Sequence, residues 1–232
     1  MNINLILGSA LVAAGLAAGG YSVGKGLQKL RTDDRYVTVK GLAEQEVPAD
    51  LVIWPITYVE PGNDLGEMYA RIERNNAVVQ DFLKANGLAD AQVSSAPPKL
   101  SDYEAEGGYD NGRRPFRYRA EVVLTVRSQK VEAVKAAMQR SGELVKQGIV
   151  FANYAAMPEF VFTALNRIKP QLIAEATKNA RTAAEQFAAD SGSVVGGIRS
   201  ANQGLISIND RDAGSPDIKV VRVVSTVEYG LR

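Results

Sequence analysis

The first 24 residues of the chain carry no charged side chain, and most of residues 3–23 are apolar or small. A helix rises about 1.5 Å per residue, so roughly 20 apolar residues cross a hydrocarbon core about 30 Å thick. We therefore expect a single N-terminal transmembrane helix over residues 1–24. A linker over 25–34 and a water-soluble domain over 35–231 would follow it.

A cleaved signal peptide is the alternative for this segment. Residues 17–20 are small enough for cleavage before Tyr21, but the first four residues offer no basic side chain. An uncleaved anchor is therefore favoured. Glycines four residues apart let membrane helices approach closely, although glycine is also common in such helices for other reasons. The candidate packing residues are Gly15, Gly19, Gly20 and Gly24.

Composition excludes several kinds of chemistry. The 232 residues include no cysteine and no histidine, and the net charge is +1. A thiol nucleophile, a disulfide, a Ser-His-Asp triad and an imidazole base are therefore impossible. The small net charge gives no reason to expect nucleic acid. We predict a chain without cofactor that is not an enzyme. The alternatives are a hydrolase or lyase using carboxylates and lysine, or a protein that binds a small molecule.

Hydrophobic periodicity predicts alternating pairs of strands and helices. Residues 51–59 read as a strand in which Pro55 requires a bulge or a sheet edge. An apolar stripe then predicts a helix with Leu65, Met68, Ile72, Val79, Phe82 and Leu83 on one face. Asn75 and Asn76 lie in the middle of that helix. A flank facing water is the favoured interpretation, and a buried polar pair holding a neighbour is the alternative.

The remaining elements complete an α+β pattern. Residues 93–103 and 116–127 predict paired strands, the second with even-numbered residues 118–126 buried. An alanine-rich helix ends near Asp190, and a hairpin closes the chain. The expected fold is antiparallel β-hairpins with helices packed on one face. The residues expected to face inward on the long helix are Ile173, Ala176, Ala180, Ala183, Ala184 and Phe187.

Several segments resemble the SIMPL-domain family of bacterial envelope proteins over about residues 35–231. Residues 37–43 and 47–50 are similar to its opening strand, glycine and valine-proline-x-aspartate turn. Residues 174–188 are similar to its alanine-rich helix, and residues 221–229 to its closing strand. The resemblance implies a periplasmic or membrane-associated protein that forms rings or channel-like homo-oligomers, with some members linked to oxidative-stress tolerance. It implies no catalytic residues.

The segment 101–119 has an acidic arm followed by a basic arm, with aromatic residues between the charges. Cross-strand pairing inside one hairpin is one interpretation. A contact between neighbouring subunits is another, and binding of single-stranded nucleic acid is disfavoured because the acidic arm repels phosphate. The residues assigned to a subunit contact are Asp102, Glu104, Arg113, Arg114, Arg117 and Arg119.

The orientation of the anchor rests on two opposing signals. Lys25, Lys29 and Arg31 follow the apolar segment, and the positive-inside rule places such residues in the cytoplasm. The family resemblance places the domain in the periplasm, and long folded domains cross despite nearby charge. We therefore expect a single-pass inner-membrane protein with a periplasmic domain.

Retention of the anchor is directly testable. We expect mass spectrometry of the membrane-extracted protein to find an N-terminus at or near Met1, because no basic residue precedes the apolar segment. A mature N-terminus near Tyr21 would show instead that the segment is a cleaved signal.

Overall fold

The computed structural model describes residues 13–25, 35–105, 115–152 and 156–232. Residues 13–25 form helix α1, and all of its side chains are exposed. In these four ranges no helix has both the length and the apolar character needed to cross a membrane. Residues 1–12, half of the predicted anchor, lie outside the described part of the chain.

Among the described residues, eight strands and four further helices follow α1, and the expected α+β class is confirmed. The chain forms two sheets, one with strand order β1-β8-β7 and one with order β3-β5-β2-β6, in which β4 also pairs with β5. In chain order the elements are β1 (Tyr36–Pro48), β2 (Leu51–Gly62), α2 (Leu65–Ala85), β3 (Gln92–Ser95), β4 (Lys99–Asp102), β5 (Tyr118–Ser128), α3 (Val131–Gln139), α4 (Gly142–Lys146), β6 (Glu159–Val161), α5 (Leu165–Asp190), β7 (Val195–Asp210) and β8 (Ile218–Leu231).

The described residues divide into two compact units, where the sequence predicts one domain over 35–231. Unit 1 contains Gln45 and the described residues before it, Asn166–Ser207, and Val221–Arg232. Unit 2 contains Glu46–Leu165 and Ile208–Val220. Each unit therefore combines stretches that are far apart in sequence.

Unit 2 is organised by the antiparallel pairing of β2 with β5. The register places Trp54 opposite Val126, Ile56 opposite Leu124 and Tyr58 opposite Val122. Because side chains alternate along a strand, these residues share one face of the sheet. Helices α2, α3 and α4 pack on that face and bury their apolar side chains against it. The alternation predicted for residues 118–126 is therefore confirmed.

Pro55 lies at a sheet position that needs no donor toward a neighbouring strand. Val59 N donates to the Val150 carbonyl, and Ala152 N donates to the Thr57 carbonyl. The backbone N–H and C=O groups of odd-numbered residues in β2 therefore point away from β5. On that side β6 pairs only with Leu51, Val52 and Ile53. Among the described residues, the missing N–H of Pro55 therefore falls in a gap between the two segments that pair with this side of β2, although β2 itself is not an edge strand.

Helix α2 follows the predicted stripe with one exception. The stripe residues Met68, Ile72, Val79, Phe82 and Leu83 are buried. Leu65 is exposed, which corrects the sequence assignment. It is the first residue of the helix, next to the Asp64 cap, whose carboxylate accepts from Glu67 N at 2.9 Å.

Unit 1 is built on an unusually close approach between β1 and α5. A Cβ atom placed on Gly41 would lie 1.8 Å from the Ala176 carbonyl oxygen and 2.4 Å from Ala180 N. Asn179 Nδ2 also donates to the Leu42 carbonyl at 2.8 Å. Only glycine on the strand and small side chains on the helix allow this separation.

The buried face of α5 differs from the predicted one. Residues four apart face the strands, namely Leu172, Ala176, Ala180, Ala184 and Ala188. Ile173 is half-buried, whereas Ala183 and Phe187 are exposed, so the assignments of these last two residues were wrong. The close approach at Gly41 selects the alanine face, because only small side chains fit where Ala176 and Ala180 meet the strand.

The close approach makes Gly41 the residue of unit 1 least tolerant of a larger side chain. We expect Gly41→Ala to lower the free energy of unfolding by about 1–3 kcal/mol or more, because the added methyl group meets backbone atoms of α5. Chemical denaturation measures the change. Gly197→Ala is the matched control, since no atom lies within 4 Å of its added Cβ. Equal stability of the two variants would refute the assignment.

Candidate functional site

A polar cluster connects β2 with α2 inside unit 2. The buried Tyr58 hydroxyl donates to Asn76 Oδ1 at 2.9 Å and lies 3.1 Å from the Ile72 carbonyl oxygen. Burial raises the pKa of the Tyr58 hydroxyl, and the nearby Glu60 carboxylate raises it further. Tyr58 therefore stays neutral over the physiological pH range, and its ring and hydroxyl hold the middle of α2.

Two residues further along the strand, Glu60 contacts the same two turns of α2, each one residue earlier. Arg71 Nε donates to Glu60 Oε1 at 2.5 Å, and Asn75 Nδ2 donates to Glu60 Oε2 at 3.0 Å. Arg71 Nη2 also donates to the Pro61 carbonyl at 2.7 Å. Asn75 and Asn76 are thus half-buried partners of strand residues, so the favoured prediction that they face water is wrong and the alternative holds.

An open pocket of about 460 Å³ lies beside this cluster. Three carboxylates, one guanidinium and one aromatic ring contribute to its walls, and Asp64 in it already caps α2. The Glu60 carboxylate accepts one hydrogen bond on each oxygen, from Arg71 and from Asn75, so both oxygens are held in place by α2. The lining residues are Glu60, Pro61, Gly62, Asn63, Asp64, Glu67, Arg71 and Phe116.

The charged segment singled out by the sequence makes ion pairs within the chain. Arg117 contacts Asp102 at 2.9 Å and Glu104 at 2.8 Å. Hydrogen bonding from Arg117 is the main cause that lowers the pKa of Asp102. Because the folded-state pKa is below the unfolded one, the pair favours folding at neutral pH. That contribution is lost as the pH falls through the folded-state value.

The other residues assigned to a subunit contact are distributed differently. Arg119 lies on β5 opposite Pro61 and Ser101, and it already has an interaction partner in the chain. Arg113 and Arg114 lie outside the described residues. The structure thus brings Asp102, Glu104 and Arg117 together as one hairpin cluster, while the subunit contact itself stays a prediction.

The four candidate anchor glycines lie on α1. A Cβ atom added to Gly15, Gly19, Gly20 or Gly24 would meet no atom within 4 Å. Their predicted role in helix packing therefore concerns a second chain and stays a prediction.

Sequence reasoning missed the role of Glu60 and undervalued the two asparagines. The available signal was two adjacent amides in the middle of an amphipathic helix, facing a strand that carries one carboxylate. Across the described residues, every buried side-chain nitrogen or oxygen has a hydrogen-bond partner. No group of three potential acidic, histidine or cysteine metal ligands occurs among them either.

The fold and this site define an α+β protein whose polar clusters join strands to helices or to one another. Comparison with protein families identifies the group. The chain belongs to the SIMPL family, described as a protein of unknown function (DUF541), whose model matches residues 37–227. The resemblance stated from the sequence is thereby confirmed. No curated protein gave a significant match.

The Glu60 cluster is expected to carry stability. We expect Glu60→Ala to lower the free energy of unfolding by about 1–3 kcal/mol, because it removes one ion pair and leaves the Asn75 amide without its acceptor. Asp81→Ala removes an exposed ion pair with Lys84 on the same helix and is the control. Denaturant unfolding measures the free energy of unfolding of both variants. A loss of stability in Glu60→Ala no larger than that in Asp81→Ala would contradict the stabilising role of Glu60.

Proposed function

We propose that the chain is a membrane-anchored, envelope-facing protein that acts as a homo-oligomeric scaffold or protective component, with a connection to oxidative-stress tolerance. The observation that carries the proposal is the N-terminal segment. Its 24 uncharged residues include all of helix α1 except the final Lys25, and Leu16, Tyr21 and Val23 on this helix are more than half exposed. An apolar segment of this kind is suited to lipid or to another apolar helix.

The character of the polar cluster supports a structural role over a catalytic one. Tyr58 is held neutral by burial, Glu60 is engaged by Arg71 and Asn75, and Arg117 is engaged by Asp102 and Glu104. A general base needs a free lone pair and a pKa near the working pH. The hydrogen bonds of the Tyr58 and Glu60 cluster instead connect β2 with α2, and the ion pairs of Arg117 hold the hairpin of β4 and β5 together.

The proposed orientation is single-pass, with residues 35–231 in the periplasm. We expect alkaline phosphatase fused to the C-terminus to be active, because that enzyme folds only outside the cytoplasm. Alkaline extraction should leave the full chain in the membrane pellet.

The matched control is the same fusion on a chain that begins at Thr32 and so lacks the apolar segment. That fusion should be inactive. Inactive phosphatase on the full chain together with fluorescence of a C-terminal cytoplasmic reporter would overturn the orientation, and release of the full chain by alkaline extraction would overturn the anchoring.

A further inference from the structure

Strand β7 has a long outer edge that no described strand covers. It contains 16 residues and stands at the end of the order β1-β8-β7. At about 3.3 Å per residue it extends for roughly 50 Å, and alternate peptide groups point away from β8. Strand β7 therefore presents a row of backbone donors and acceptors suited to another strand.

The side chains of β7 are exposed on both faces as well. Residues 197–203 are all exposed, whereas β8 alternates between buried and half-buried or exposed positions. Leu205 is 93% exposed and Ile198 is 57% exposed. Apolar side chains this exposed on an open edge indicate a surface that is covered in an assembly.

Between Arg199 and Asp210, the edge also lacks the features that normally prevent strand pairing. Natural edge strands are protected by charged residues, by proline or by a short length. The ten residues from Ser200 to Asn209 include neither a charged residue nor proline. An edge strand without such protection is the usual site of strand addition.

We propose that β7 pairs in antiparallel orientation with β7 of a second copy of this chain, about a two-fold axis at Gln203. The proposal rests on the homo-oligomer of the proposed function and identifies its contact surface. A two-fold axis through the sheet requires one residue to lie opposite its own copy. With Gln203 in that place, Leu205 lies opposite Ala201 of the second copy, a large residue facing a small one.

The distribution of charge favours the register centred on Gln203, and it favours a second copy of this chain as the partner. Centring on Gln203 places Arg199 opposite Ser207, whereas centring on Leu205 would place Arg199 opposite Arg211. Like charges directly opposite each other are destabilising. The uncharged segment can meet an identical segment without repulsion, and it offers no charge by which a different acidic or basic partner would be selected.

The absence of cysteine makes the pairing directly measurable, since any introduced thiol is the only one in the chain. Directly opposite Cβ atoms in a sheet lie about 4.5–5.5 Å apart, close to disulfide distance. We expect full-length Gln203→Cys, oxidised mildly in detergent, to form a covalent dimer. Ala201→Cys and Leu205→Cys should each stay uncrosslinked alone and crosslink when the two are co-expressed. Glu73→Cys, exposed on α2, is the control.

A second variant tests whether the edge is needed for assembly. Leu205→Lys places a charge on the edge, and we expect the particle mass from light scattering to fall at least twofold. The far-ultraviolet circular dichroism spectrum should not change, because Leu205 is almost fully exposed in the isolated chain and its replacement leaves the fold of that chain intact. Arg113→Glu with Arg114→Glu, in parallel, tests the charged segment as the alternative contact.

The outcomes separate this inference from the proposed function. A wild-type particle of monomer mass overturns the homo-oligomer and the strand pairing together. An assembled wild type that gives no crosslink at 201–205 and keeps its mass with Leu205→Lys overturns the β7 pairing alone. Crosslinking of Gln203→Cys only to a different protein overturns the second copy as occupant, and crosslinking of Leu205→Cys alone overturns the register.

Discussion

The antiparallel pairing of β2 with β5 is the constraint on which unit 2 depends. Its register extends without interruption from Val52 opposite Ser128 to Gly62 opposite Tyr118. Because side chains alternate, a one-residue shift would move every apolar side chain to the other face. The same register places Tyr58 and Glu60 on one face, where they contact adjacent residues in the same two turns of α2. The polar cluster is thus a consequence of the ladder.

In unit 1, the helix packs on the strands through small side chains. Its core cluster combines Ala180 and Ala184 with Val37, Val227 and Tyr229. Small residues on α5 let the helix backbone approach β1 until Gly41 leaves no room for a methyl group. Dispersion contacts are strongest at such short separation, so close approach compensates for the small apolar area of alanine. Unit 2 instead fills its interior with large side chains such as Met68, Leu124 and Ile56.

The charged and polar groups of the described residues divide into those engaged inside the chain and those that face outward. The Arg117 pairs with Asp102 and Glu104 stabilise the hairpin of β4 and β5, and as exposed pairs they contribute modestly. Strand β7 shows the opposite character, because it is uncharged over ten residues and open on its edge. Assembly through β7 would add backbone hydrogen bonds and apolar contact without disturbing those pairs.

Local pattern determined much of the fold. The alternation in β5, the stripe in α2, the place of Pro55 and the family itself follow from residue order alone, because periodicity and backbone chemistry act over a few residues. Tertiary structure alone decided which neighbours these elements meet. Asn75 and Asn76 became partners of β2 because Tyr58 and Glu60 lie opposite them. Phe187 turned outward because the close approach of Gly41 to Ala176 and Ala180 fixes which face of α5 meets the strands. Such choices depend on distances between segments remote in sequence, and no local pattern encodes them.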